Sequence, residues 1–190
     1  CDLTGMDTSN ASVYDGATAA AEGVAMCKER KRKKAMISAT VLPYVLETVK
    51  TYCYGNEMEL VVIPEKDGVT DIEFLKENID AETACVYIQH PNYYGNLEEA
   101  EAIGNVVHKA GAKYIMGVNP ISLGILKTPR EYGADVAVAQ RPRRPPVCFA
   151  AAGCRACADV APESDDVAVP VRKCETISVT ESYAMSAFDI

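Results

Sequence analysis

The chain has 190 residues, 48% of them apolar and 24% charged, enough for one domain with a real core and ordinary globular make-up. A net charge of −8 argues against nonspecific nucleic-acid binding, and no apolar run approaches the roughly 18 residues that span a bilayer. The chain opens on Cys1 in mid-pattern with no signal peptide, which predicts a fragment; cysteines at 27, 53 and 85 sit inside apolar patterns, which predicts a reducing, cytoplasmic setting.

In chain order, residues 15–31 predict an Ala-rich helix that Asp15 can cap. Its basic end, "KERKRKK" (28–34), reads as a solvated helix terminus suited to the negative pole of the dipole, in preference to a polyanion patch. "KAMISA" (34–39) predicts a strand, and "LPYVLETVKTYCYGN" (42–56) a helix ended by Gly55-Asn56. "MELVVIP" (58–64) is a strand stopped by Pro64. "DGVTD" turns the chain, with Thr70 as the expected cap of a helix over "DIEFLKENI". "ACVYIQHP" (84–91) predicts a strand, 96–112 a helix with Gly111 as its stop, 113–120 a strand, and 135–139 another.

Alternating strands and helices with short links predict an α/β fold, a three-layer sandwich with a mainly parallel sheet. In such sheets ligands gather beyond the carboxyl ends of the strands. "QHPNYYG", "NPISLG" and "AQRPRRPP" all fall there. Residues 140–190 break from this pattern. They contain no leucine, whereas residues 1–139 contain eight, and they carry five prolines and four cysteines. The break suggests a different domain, a disordered tail or a frame error, with "TISVTESYAM" (176–185) the one plausible regular piece.

Asp15-Gly16-Ala17-Thr18 opens a helix with small residues, so the backbone N–H groups of Gly16 and Thr18 could cradle a phosphate. Asp15 opposes that, because a carboxylate already sits at the positive pole. Capping and tight helix packing is the preferred reading. His90, at the carboxyl edge of its strand, could stack on a ring or relay a proton; otherwise it is a hydrogen-bonded loop residue. His108, late in a helix, suits the dipole. Cys154 and Cys157 form a CxxC that Cys148 and Cys174 do not complete with zinc-site spacing, and no metal is assigned.

Five blocks in order carry a resemblance: "CDLTGMDTSNASVYDGATAAAE" (1–22), "KDGVTD" (66–71), "QHPNYYGNLEE" (89–99), "HKAGA" (108–112) and "NPISLGILKTPREYGAD" (119–135). Residues 1 to about 139 resemble the glycine decarboxylase family, the P-protein of the glycine cleavage system, in the first subunit of its two-subunit bacterial form. The resemblance implies the large domain of a fold-type-I pyridoxal-phosphate transferase over 1–139, and a divergent tail over 140–190. It implies a heterotetramer with a second subunit that holds pyridoxal phosphate covalently, glycine as substrate, and transfer of the aminomethyl group to the lipoyl arm of the H-protein. No catalytic residue is expected in this half. Tyr14, Asp15, Asn92 and Tyr93 are expected at the subunit interface, with Gly16, Thr18 and His90 as candidate cofactor contacts and Tyr94 as the second member of an aromatic pair. The chain departs from the family at Asn119, where Asp is usual, and around Cys148-Phe149, where a Gly-rich segment is usual. An inactive scaffold serving only assembly, and a self-sufficient pyridoxal-phosphate enzyme, are the alternatives.

Overall fold

The computed structural model describes residues 1–9, 13–140 and 149–151. Helix α1 (Gly16–Met26) leads into strand β1 (Lys34–Ser38), helix α2 (Pro43–Gly55) and strand β2 (Glu59–Ile63). A two-stranded hairpin, β3 (Glu65–Lys66) with β4 (Val69–Thr70), precedes helix α3 (Ile72–Asn78). Strand β5 (Thr83–His90), helix α4 (Ala100–Lys109), strands β6 (Lys113–Val118) and β7 (Val136–Gln140), and short strand β8 (Phe149–Ala151) follow. The main sheet runs β2-β1-β5-β6-β7-β8, parallel except for β8.

Successive strand residues face opposite sides, which builds two cores. Ala35, Ile37, Cys85, Tyr87, Ile115, Val136 and Val138 pack with α1 and α2. Met36, Val86, Ile88, Tyr114 and Met116 pack with Leu75 of α3 and Ile103 and Val107 of α4. The sheet is therefore covered on both faces, which gives the three-layer α/β sandwich.

The small residues of α1 have a packing role. Gly16, Ala17, Ala19, Ala20, Ala21 and Gly23 are all buried. A Cβ on Gly23 would already stand 3.6 Å from the methyls of Val136 and Val138, so the helix rides low on the sheet.

Several boundaries differ from the expectations. Helix α1 stops at Met26, not at 31, because the basic segment is pulled off the helix axis to other carbonyls. Lys28 Nζ donates to Asn56 O at 2.6 Å, Lys34 Nζ to Asn78 O at 2.7 Å, and Arg32 to Thr83 O at 3.3 Å and to Gly111 O. Asn56, Asn78 and Gly111 lie at the C-terminal ends of α2, α3 and α4, where cations meet the negative poles. Three cations of the run thus clamp the ends of three helices, while Arg30, Lys31 and Lys33 stay exposed as expected of a solvated segment. Asp71, not Thr70, caps α3, because the Thr70 hydroxyl turns inward to Ser38. Helix α4 begins at Ala100, not 96, because Asn96 and Glu98 are drawn into a buried network. The sheet also continues past residue 139 through β8. "TISVTESYAM" and the CxxC lie outside the described residues.

Candidate functional site

The strand order reverses direction between β1 and β5: from β1 the chain moves outward to β2, then returns to the other side. Such a switch point opens a crevice beyond the carboxyl ends of its two strands, where open α/β sheets take ligands. Here the crevice is filled by the protein's own polar groups.

At its centre is Glu98, only 6% exposed. One carboxylate oxygen accepts hydrogen bonds from Thr40 Oγ1 at 2.7 Å and Asn92 Nδ2 at 2.8 Å. The other accepts the Thr70 backbone N–H at 2.8 Å. Ser38 Oγ lies 2.8 Å from both Thr40 Oγ1 and Thr70 Oγ1. The loop after β1, hairpin strand β4 and the loop after β5 thus meet on one acid. A buried carboxylate costs several kcal/mol unless its lone pairs are met, and here three donors meet them.

Asn92 is buried and fully bonded. Its Nδ2 donates to Glu98 and to Gly68 O at 2.8 Å, and its Oδ1 accepts the N–H groups of Tyr94 and Asn96 at 3.0 Å. The preceding His90–Pro91 peptide is cis. Tyr93 N–H donates to Thr40 O at 2.7 Å. With the backbone so held, the Tyr93 and Tyr94 rings stand edge to face at 5.4 Å and point outward, each about half exposed.

His90 is buried beneath this loop, 3% exposed, with its ring edge to face on Tyr132 at 5.1 Å. Its Nδ1 accepts the Glu98 N–H at 3.2 Å, so the neutral ring carries its proton on Nε2. That Nε2 is, among the described residues, the buried side-chain polar atom without a partner. Burial holds the imidazole pKa below its usual value, partly opposed by the Glu98 charge.

Asp15 stands at the N-terminus of α1. Its Oδ1 accepts both the N–H and the hydroxyl of Thr18, each at 2.7 Å. The amide of Thr18 is therefore occupied by the Asp15 carboxylate. Asp15 also faces α2: after burial itself, its charge helps raise the pKa of Tyr44. Tyr14, next to it, is 89% exposed. Asn119, after β6, is exposed and turns its Oδ1 onto the Ile121 N–H at 3.0 Å, a local turn bond. His108 lies well away in the last turn of α4, 3.0 Å from Asp135, a pair that adds to the expected dipole contact. A shallow cleft of about 300 Å³ lies between the hairpin, α3 and α4, lined by Lys66, Asp71, Glu73, Lys76 and Glu99.

The sequence reading singled out His90, Asn92, Tyr93 and Asp15, and the structure places Asn92 and Tyr93 in one loop with His90 beneath it at the end of β5. It missed Glu98, Thr40, Thr70 and Ser38. "NLEEAEA" looked like the acid-rich first turn of a helix, and hydropathy would bury Leu97 and expose Glu98; the structure does the reverse, with Leu97 55% exposed. No residue pattern signals that inversion.

Comparison with known proteins agrees with this architecture. The family model for the glycine cleavage system P-protein matches residues 1–150. The chain is 49% identical over 139 residues to a probable glycine dehydrogenase (decarboxylating) subunit 1 from Carboxydothermus hydrogenoformans, covering 73% of this chain and 31% of the relative. It is 48% identical over 138 residues to the protein of the same description from Lysinibacillus sphaericus, covering 72% and 31%. The chain thus spans about a third of the length of the curated relatives it matches. Among solved structures, an inhibitor-bound glycine decarboxylase (P-protein) of the glycine cleavage system superposes with a TM-score of 0.73 at 32% identity, over 82% of this chain and 36% of that one. A sphingosine-1-phosphate lyase from Burkholderia pseudomallei, 16% identical with a TM-score of 0.61 over 76% and 38%, shares the fold alone. With most of its length matched by that family model, the chain belongs to the glycine cleavage system P-protein family.

Proposed function

We propose that this chain is the half of a two-subunit glycine decarboxylase that lacks the cofactor-binding lysine, active only beside a second subunit in a heterotetramer. In this reading the cytoplasmic complex decarboxylates glycine and hands the aminomethyl group to the lipoyl arm of the H-protein. Pyridoxal phosphate is held covalently by the second subunit. Residues 1–139 carry the transferase-like segment and 140–190 a divergent tail.

The observation that carries the reading is the self-filled crevice. Outside that network, the α1 terminus and the turn after β6 do not fit the cofactor either: the Asp15 carboxylate holds the Thr18 N–H and hydroxyl, and Asn119 offers a neutral amide engaged in its own turn. No step is therefore assigned to a cofactor bound by this chain. Its outward groups, Tyr14, Tyr93 and the rim around Asp15, instead face a neighbour, with Asn92 supporting the loop from beneath. Gly16, Thr18 and His90 serve the structure of this half.

The same self-filled site favours a second reading, a scaffold that acts only in assembly. The test adds the second subunit to the full chain and follows glycine-dependent bicarbonate exchange. Exchange that needs both chains supports the decarboxylase reading, and assembly without exchange supports the scaffold. Exchange by this chain alone, or a visible absorbance band from pyridoxal phosphate bound to it, defeats both.

A further inference from the structure

We infer that Glu98 is a positioning residue, whose buried carboxylate sets the pose in which Tyr93 is presented to the second subunit. The inference rests on the assembly reading above.

The anchoring of the loop supports it. Both backbone amides of the aromatic pair end on residues that Glu98 holds. Tyr93 N–H donates to the carbonyl of Thr40, whose hydroxyl donates to Glu98. Tyr94 N–H donates to Oδ1 of Asn92, whose amide donates to the same carboxylate oxygen. The Tyr93 and Tyr94 rings are 51% and 55% exposed, so packing beneath them does not fix their direction. The polar network fixes the backbone from which both rings project, while the Tyr94 hydroxyl is tied separately to Glu65.

The chemistry of the site calls for a carboxylate. Every group aimed at Glu98 is a donor: a hydroxyl, a side-chain amide and a backbone N–H. A carboxylate accepts from all three, whereas a glutamine of the same shape must turn its own NH₂ toward at least one of them. A buried donor then loses its acceptor, which is the expensive kind of loss. Glu98 is also only 6% exposed while its neighbour Leu97 is 55% exposed. The segment gives up apolar burial to place an acid inside.

The test is a double-mutant cycle on the full chain, read as affinity for its own second subunit. The chains compared are the parent, Tyr93→Ala, Glu98→Gln and the double variant. Each single change should weaken binding about fivefold to tenfold, the factor that one hydrogen bond of ordinary net strength represents. In the Tyr93→Ala background, Glu98→Gln should cost less than about twofold, because the side chain it positions is gone. Hydrogen exchange at the Tyr94 and Asn96 amides should speed up in Glu98→Gln. If that variant does not fold, Thr40→Val, which removes one donor, takes its place in the cycle. A Glu98→Gln effect that persists undiminished without the Tyr93 ring overturns the inference and leaves the assembly reading standing. A Tyr93→Ala chain that binds like the parent, or a parent that does not bind, overturns that reading itself.

Discussion

Gly117, near the carboxyl end of β6, tests the packing of the sheet most sharply. A Cβ placed there would fall 2.3 Å from Tyr87 Oη, 3.0 Å from Tyr87 Cζ and 3.5 Å from Ile88 O. Tyr87 is 3% exposed and lies in the core beneath α1 and α2, so its ring has no open space to move into. The ring therefore strains, or β6 parts from β5. Overpacking of this kind costs about 1–3 kcal/mol, and a 2.3 Å approach belongs at the top of that range. For a chain of this size, about 3 kcal/mol lowers Tm by roughly 6–12 °C. The measurement is thermal unfolding of Gly117→Ala in the full chain, followed by far-UV circular dichroism. A second variant checks the cause. Tyr87→Phe removes the oxygen at 2.3 Å but leaves the ring carbon at 3.0 Å, so the pair Gly117→Ala/Tyr87→Phe should recover about half the loss relative to Tyr87→Phe alone. A Gly117→Ala chain that melts with the parent, or a loss that Tyr87→Phe leaves unchanged, refutes the close approach.

Burial holds the His90 pKa below its ordinary value of 6.5, so the folded state favours the neutral ring while the unfolded state takes up a proton near 6.5. The stability His90 contributes is fully present above that pH and is lost as pH falls through it toward the lowered value. The free energy of urea unfolding should decline over this window in the parent and decline less in His90→Gln. With two histidines in the chain, proton NMR can follow both, and a His90 resonance titrating at or above 6.5 contradicts the buried setting. Asp15→Ala should cost about 1 kcal/mol of stability through loss of the α1 cap, and Asp15→Asn much less, since asparagine caps as well. Equal melting of parent and Asp15→Ala would show that the cap carries no load.

The layered architecture was legible because hydrophobic period and turn residues are local signals. The apolar runs of β2 and β6 and the stripe on α4 follow directly from spacing. Asp15 was readable as a cap for the same reason: the acid, the turn and the helix it serves are adjacent in the chain. The interior of the crevice was not legible. Thr40, Thr70 and the Asn92–Glu98 loop come from three separate segments, and their meeting depends on the strand order. The basic segment misled for a related reason. Lys28 and Arg32 look solvated from their neighbours in sequence, yet their carbonyl partners lie 28 to 79 positions away.

That clamp alters the electrostatic face of the molecule. Lys28, Arg32 and Lys34 are engaged at the ends of three helices, and the Arg32 and Lys34 side chains are only 25% and 13% exposed. These cations meet helix-end carbonyls, and Arg32 and Lys34 also pair with Glu29 and Asp80, so they form no free basic patch and the acidic net charge of −8 sets the long-range field. Two copies of the chain repel at long range, while a basic neighbour is drawn in faster at low salt than at high.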